Sequence, residues 1–233
     1  MFQTLCAFVL YRRFPQMQSI IMMLKSPQRQ GTRERILDVA EELFANGSFA
    51  SVSVRTVTTK ADVNLSAVNY YFGSKQGLFQ AVYVRRATLM NHERLRLLHD
   101  AGDGAKAENR DVSLREIISV MLTPPIFWLC DKEKGFSVYI RFLARAYLEE
   151  ASDMDNVLRQ EVDIFDRFIP YFQKVKPDLT EEDIYWKIHF TMGVMHHTIN
   201  HLHRISLLSH KSCKTHSREQ VRDRLVDFCC DGF

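Results

Sequence analysis

From residue 31 onward, apolar residues recur three and four positions apart, the spacing of one face of an α-helix. No stretch alternates apolar and polar residues long enough to predict a strand. The first such stretch, about Thr32 to Ala45, places Ile36, Leu37, Ala40, Leu43 and Phe44 on one stripe. Asn46-Gly47 follows, and both residues tolerate a left-handed cap, which predicts the helix end there. Ser53 predicts the N-cap of a short second helix reaching Ala61. Asp62-Val63-Asn64 reads as a tight turn, and about Leu65 to Tyr71 as a third short helix. Gly73-Ser74 breaks that pattern, with Ser74 capping a long fourth helix from Lys75 to near Ala101.

The segment Gly102 to Val112 is polar and contains glycine, which predicts a loop. Ser113-Leu114-Arg115-Glu116 is a capping box that opens a fifth helix. Pro124-Pro125 should interrupt it, because proline lacks a donor and clashes with the preceding turn. Further helices are predicted over Glu133–Glu150, Asp155–Lys174 with a kink at Pro170, Thr180–Leu208 and Ser217–Cys230. Thr180 with Asp183, and Ser217 with Gln220, repeat the capping signature. Residues 1–30 show no usable periodicity, and Met17, Met22 and Met23 offer alternative starts, so the segment reads as a poorly ordered leader. The predicted fold class is all-α. A three-helix helix-turn-helix domain over residues 31–77 is followed by a helical bundle over residues 78–233.

Composition excludes more than it selects. A chain of 233 residues with 46% hydrophobic and 25% charged residues is an ordinary globular protein. A net charge of +3 permits nucleic-acid binding without arguing for it. The five cysteines form no CxxC pair, which speaks against a zinc ribbon or disulfide framework and for a reducing cytoplasm. Adjacent Cys229 and Cys230 read as small hydrophobes near a helix end, with a redox pair as the alternative. No run reaches the ~20 apolar residues of a membrane span, so no membrane partner is expected. HExxH, GxSxG, GxxxxGK[ST] and GxGxxG are all missing, so neither an enzyme nor a cofactor is predicted.

The segment that carries chemistry is SVRTVTTKADVNLSAVNYYFGSK, Ser53 to Lys75. Two short helices joined by a three-residue turn follow the helix-turn-helix plan. Val54, Val57 and Ala61 form the inner stripe of the second helix, and Val63, Val68 and Phe72 anchor the turn and third helix. The remaining face of the third helix carries Leu65, Ser66, Asn69 and Tyr70, with Asn64 in the turn before it. Such a face fits a major groove about 12 Å wide. Arg55 could reach a guanine or a phosphate, and Asn69 could pair with adenine. Tyr71 and Lys75 suit phosphate contacts, and Ser53 joins them at the opening of the second helix. By spacing alone, an ordinary helical surface remains an equal alternative.

The longer stretch TRERILDVAEELFANGSFASVSVRTVTTKADVNLSAVNYYFGSK resembles the N-terminal domain of the TetR family of regulators. ILDVAEELF, SVR, ADVNLSAVNYYFGSK and LFQAV fall in the family's order over about residues 32–82. Asp62 stands where the family usually has Gly, Thr58 replaces a usual Ala, Tyr71 a usual His, and Asn69 a frequent Tyr. YIRFLARAYLE, YWKIHFTMGVMHH and REQVRDRLVDF are similar to a subfamily that includes fatty-acid-responsive regulators. The resemblance implies a homodimeric repressor of double-stranded DNA. Its operator would be an inverted repeat, and its release would follow binding of a small apolar effector such as a fatty acid or acyl compound.

Two apolar groups offer walls for such an effector, although for any one residue an ordinary bundle core is favoured about two to one. They yield the expected pocket Met121, Phe127, Trp128, Tyr139, Arg141, Phe142 and Arg145. Its two arginines would hold a carboxylate or phosphate, with Glu161 or Asp163 as the alternative partner. Trp186, Phe190, Gly193 and Val194 are the expected dimer surface. His197 and His201 are spaced to share a metal, but no third ligand stands near them in sequence, and no metal is expected. Two other classes compete with the regulator: a helical ligand or metal sensor with vestigial DNA contacts, and a small all-α enzyme working in the C-terminal cavity.

Overall fold

The computed structural model describes residues 31–129, 138–142, 159, 162–213 and 217–233, and among them there is no strand. The 1–30 leader, Arg145 and most of the predicted Glu133–Glu150 helix lie outside the described residues. The elements are α1 (Thr32–Asn46), α2 (Val54–Lys60), α3 (Ser66–Phe72), α4 (Lys75–Ala107) and α5 (Leu114–Leu129). A 3-10 turn (Asp163–Arg167) leads into α6 (Ile169–Val175), α7 (Glu181–His201), α8 (His203–Leu208) and α9 (Arg218–Asp231). Residues 138–142 are helical.

The caps written in the sequence form. Ser53, Ser74 and Ser217 accept from Thr56, Gly77 and Gln220 backbone N–H groups at 3.0, 3.0 and 3.4 Å. Ser113 Oγ accepts from Glu116 N while Glu116 accepts from Ser113 N at 2.8 Å, and Thr180 with Asp183 repeats this box. The Arg110 guanidinium on Glu116 adds to the two Ser113 bonds and lowers that carboxyl to about 2.

Five expectations need correction. α1 does end at Asn46, but Gly47 is extended (φ −134) and donates to Leu43 O, so no left-handed cap is used. α4 passes through Gly102 and Gly104 to Ala107 because Leu98 and Ala105, two turns apart, are both buried. That packing outweighs the roughly 1 kcal/mol each glycine costs a helix. The helix stops where Asn109 takes φ 58 and Arg110 N reaches back to Ala105 O. Pro170 does not kink one long helix. It sits in the first turn of α6, where a missing donor costs nothing. The predicted Thr180–Leu208 helix divides at Leu202 into α7 and α8.

The fifth correction is Pro124-Pro125, through which α5 continues to Leu129. Pro125 cannot donate to Met121 O, four residues back. Arg94 Nε of α4 donates to that carbonyl instead, at 3.2 Å. Arg94 is 0% exposed, donates also to Asn91 Oδ1, and lies 5.2 Å from the centre of the Phe165 ring. A guanidinium thus restores the hydrogen bond that proline removes and ties α4 to α5.

Two cores result. The first gathers α1, α2, α3 and the start of α4 around Phe44, Val68, Phe79 and Tyr83. The second packs the end of α4 with α5, the 3-10 turn, α6, α7 and α9 around Ile117, Phe168, Phe172 and Ile184. α4 belongs to both. No described helix is long and apolar enough to cross a membrane.

Replacing Arg94 with Met leaves Met121 O without its donor and should cost about 1–3 kcal/mol in denaturant unfolding. Adding Pro125→Ala returns an N–H to that carbonyl, and about 1 kcal/mol of the loss should be recovered. His196 supplies a pH test. Burial, then the Arg94 charge, lowers its pKa from 6.5 to about 4. The unfolded chain therefore binds a proton that the folded chain refuses, and stability should fall as pH drops from 6.5 towards 4. The slope is about 1.4 kcal/mol per pH unit, and it should flatten between those limits in His196→Gln.

Candidate nucleic-acid interface

α2 and α3 are held from beneath. Val57, Ala61 and Val68 are buried in the first core, with Val54, Val63 and Phe72 packed beside them. Thr58 is also buried and donates its hydroxyl to Arg55 O. Asp62 turns the chain with φ 52, a conformation that Asp tolerates better than most residues. Asn64 Oδ1 accepts from Ser66 N at 2.9 Å and from Ser66 Oγ at 3.0 Å, so the turn caps α3. Gly73, at φ 73, ends that helix. At Gly77 a Cβ would lie 2.0 Å from Phe72 O, so the end of α3 and the start of α4 meet where only glycine fits.

The upper face of α3 is left over. Leu65 is 55%, Tyr70 82% and Tyr71 40% exposed, and the two tyrosine rings meet edge to face at 4.9 Å. Asn69 is exposed, and its side-chain amide makes no hydrogen bond among the described residues. Arg55 is exposed on α2, and neither it nor Lys60 forms an ion pair among the described residues. Ser53, Asn64 and Ser66 stand on the same surface with their oxygens engaged in caps. Lys75 is half-buried: its ammonium lies 4.4 Å from the Phe49 ring centre and 3.5 Å from Ala50 O, pinning the α1–α2 loop.

Beneath this surface lies a set of charges that sequence reasoning missed. The Glu41 side chain is 4% exposed and receives Arg85 at 2.5 Å and Arg86 at 2.9 Å. Arg85 also reaches Asp38 at 2.7 Å and Glu34 at 3.4 Å. Burial works against the Arg85 charge, but Glu41 and Asp38 outweigh it, and its pKa rises. The available signal was Glu34, Asp38 and Glu41 at helical spacing on the edge of the α1 stripe, matched by adjacent arginines on α4.

Among the described residues, the expected effector set is divided between the two cores. Trp128, Tyr139 and Phe142 join the first core, where Phe142 lies 5.0 Å from Phe79 and 6.3 Å from Tyr83. Met121 is buried in the second core. Phe127 is half-buried under Arg218 and Arg222, 4.6 and 5.6 Å from its ring centre, and Arg141 is exposed. Periodicity put these residues on inner faces, but two separate cores share those faces. The dimer set is one strip on α7. Trp186 and Phe190 are 56% and 59% exposed, with rings stacked at 5.7 Å. Gly193 is exposed with open space where a Cβ would stand, and Val194 is half-buried. His197 and His201 have ring centres 5.0 Å apart, and among the described residues no group of three metal-ligating side chains assembles.

Residues 36–82 match the tetR family of bacterial regulatory proteins, and residues 119–232 match the tetracyclin repressor-like C-terminal domain. Together these matches cover more than half of the chain. Over 96 residues, 41% of this chain, the sequence is 29% identical to the HTH-type transcriptional repressor NicS of Pseudomonas putida. The match spans 42% of that repressor's length. A TetR-family regulator from Shewanella sp. PV-4 has the same fold, with a TM-score of 0.64 at 12% identity over 87% of this chain and 98% of that one. So does the regulator FadR of Bacillus subtilis in complex with stearoyl-CoA, with a TM-score of 0.54 at 12% identity over 85% and 98% of the two chains. With a helix-turn-helix head, a helical C-terminal body and both halves of the family matched, the chain belongs to the TetR family of DNA-binding, non-enzymatic transcriptional regulators.

Proposed function

We propose that the protein is a cytoplasmic repressor that binds an inverted-repeat operator as a homodimer and leaves it when a small apolar effector binds the C-terminal body. The observation that carries this reading is the upper face of α3. Asn69, Tyr70 and Leu65 are presented outward by a helix whose other face packs on the core through Val68, Ala67 and Phe72. In this reading Arg55, Asn69, Tyr70 and Leu65 meet base edges, while Ser53, Asn64, Ser66, Tyr71 and Lys75 meet the sugar-phosphate backbone. One head reads too few base pairs to specify a site, so two must act together. The strip Trp186, Phe190, Gly193 and Val194 is an apolar surface that a second copy would cover. An acyl effector is favoured by the fold shared with the stearoyl-CoA-bound FadR. No chemistry is required: the effector need only prefer the conformation that does not fit DNA.

An operator can be selected from random duplexes with the purified protein. On it, Asn69→Ala or Arg55→Ala should cost about 1–3 kcal/mol while sparing random DNA. Equal losses on both would move these side chains to the phosphate class. Lys75→Ala should instead weaken binding to every duplex alike and reduce the salt slope by roughly 1.

Gly193→Leu isolates the dimer. The open space at that position lets a monomer accept the side chain, whereas a helix packed across a two-fold axis cannot. Light scattering should report monomer with an unchanged helical circular dichroism spectrum, and operator affinity should fall although no DNA-facing residue is altered. A Gly193→Leu protein that stays dimeric would place the interface elsewhere.

A further inference from the structure

The recognition helix does not stand alone on its surface. Beside it, the first turn of α1 and the face of α3 enclose a notch of ≈ 480 Å³, with Thr32 and Arg35 on one wall and Ser66, Tyr70 and Tyr71 on the other. Asp62 stands on the same rim. Arg35 is exposed and forms no ion pair among the described residues, although Glu34 and Asp38 are its neighbours on α1. Those carboxylates are turned to Arg85, and Glu34 also takes Arg33. Arg33 is held further by Phe72, its guanidinium 5.5 Å from the ring centre. The fold pairs the arginines behind the notch with carboxylates and leaves the one inside it without a carboxylate partner among the described residues.

A helix about 10–12 Å across in a groove of about 12 Å has a phosphate strand close along each flank. The notch lies beside α3, and its walls offer a guanidinium and the hydroxyls of Thr32, Ser66 and Tyr71. We propose that this notch seats one sugar-phosphate unit of the DNA backbone, with Arg35 as its charged ligand and Thr32 beside it. α1 is then part of the DNA-binding surface and sets the register in which α3 meets the bases. The proposal rests on the helix-turn-helix reading above. Asp62 is the opposing charge: it repels a phosphate from the rim and limits binding to sequences that hold α3 in place.

The test uses the full chain, a short random-sequence duplex and the selected operator, each titrated with salt. Arg35→Ala should lose about tenfold in affinity on both duplexes, and its salt slope should fall by roughly 0.9, the signature of one phosphate. Asp62→Asn keeps a residue that tolerates the left-handed turn and should bind random DNA about threefold more tightly. Arg33→Ala, whose charge is already paired, should change neither slope nor affinity. Arg35 is exposed, so an unchanged thermal midpoint confirms that the variant is folded. Wild-type binding by Arg35→Ala, while Asn69→Ala and Lys75→Ala still weaken it, overturns the notch and leaves the helix-turn-helix reading intact. Wild-type binding by all three overturns that reading itself. A loss confined to the operator would make Arg35 a base reader and overturn the phosphate seat. Inorganic phosphate that competes with DNA better than chloride at matched ionic strength would make the notch a free-anion site, which also overturns it.

Discussion

The placement of the DNA-binding head depends on one buried carboxylate. Glu41 lies under Arg85 and Arg86, and this three-charge contact holds α1, and with it α2 and α3, on the first turns of α4. Taking a carboxylate and two guanidinium groups out of water is costly, and the contact is favourable only because each finds its partner at hydrogen-bond distance. Removing one member would strand the others in a region of low dielectric, which is why such contacts fix geometry more than they add stability. Around it the aromatic packing is apolar and less directional. Phe44, Phe79 and Phe142 meet edge to face or tilted at 5.0–6.4 Å and would tolerate small shifts. The charges specify where the head sits, and the rings supply the burial that keeps it there.

The same logic recurs halfway along α4. With 33 residues, that helix is about 50 Å long and passes from one core into the other. At the passage stands Arg94, a cation inside the protein whose work is to satisfy a carbonyl left bare by a proline on the neighbouring helix. His196 is kept neutral beside it. Polar interactions thus mark both places where α4 changes partners, with apolar packing between them.

Much of this was legible in the sequence where the cause is local. Caps at Ser53, Ser74, Ser113, Thr180 and Ser217 depend on a side chain and a backbone N–H three residues away, and all five form. The buried stripes of α1 and α2 and the outward face of α3 follow from helical periodicity in the same way. What was not legible depends on distant partners. Pro124-Pro125 reads as a break unless Arg94, 31 residues upstream of Pro125, is known to lie opposite. Gly102 and Gly104 read as a loop unless the buried position of Ala105 is known. The effector set is split for a related reason: periodicity identifies an inner face, and Trp128 and Met121 lie on inner faces that serve different cores.

The contact at Gly77 has a mechanical consequence. Because Phe72 O occupies the space where a Cβ would be, α3 and α4 meet closely at Gly77. If the head follows α4 as one body, the two act as a single lever. Taking Arg94 as the pivot, the arm from there to Lys75 is about 28 Å at 1.5 Å per residue, so a tilt of about 0.1 radian moves the head by about 3 Å. Hydrogen bonds to base edges fail within a fraction of that distance. In the proposed reading, letting go of DNA asks for no refolding of the helix-turn-helix. On that reading, a small rotation made deep in the body and far from any base would be enough to carry an unchanged head out of register.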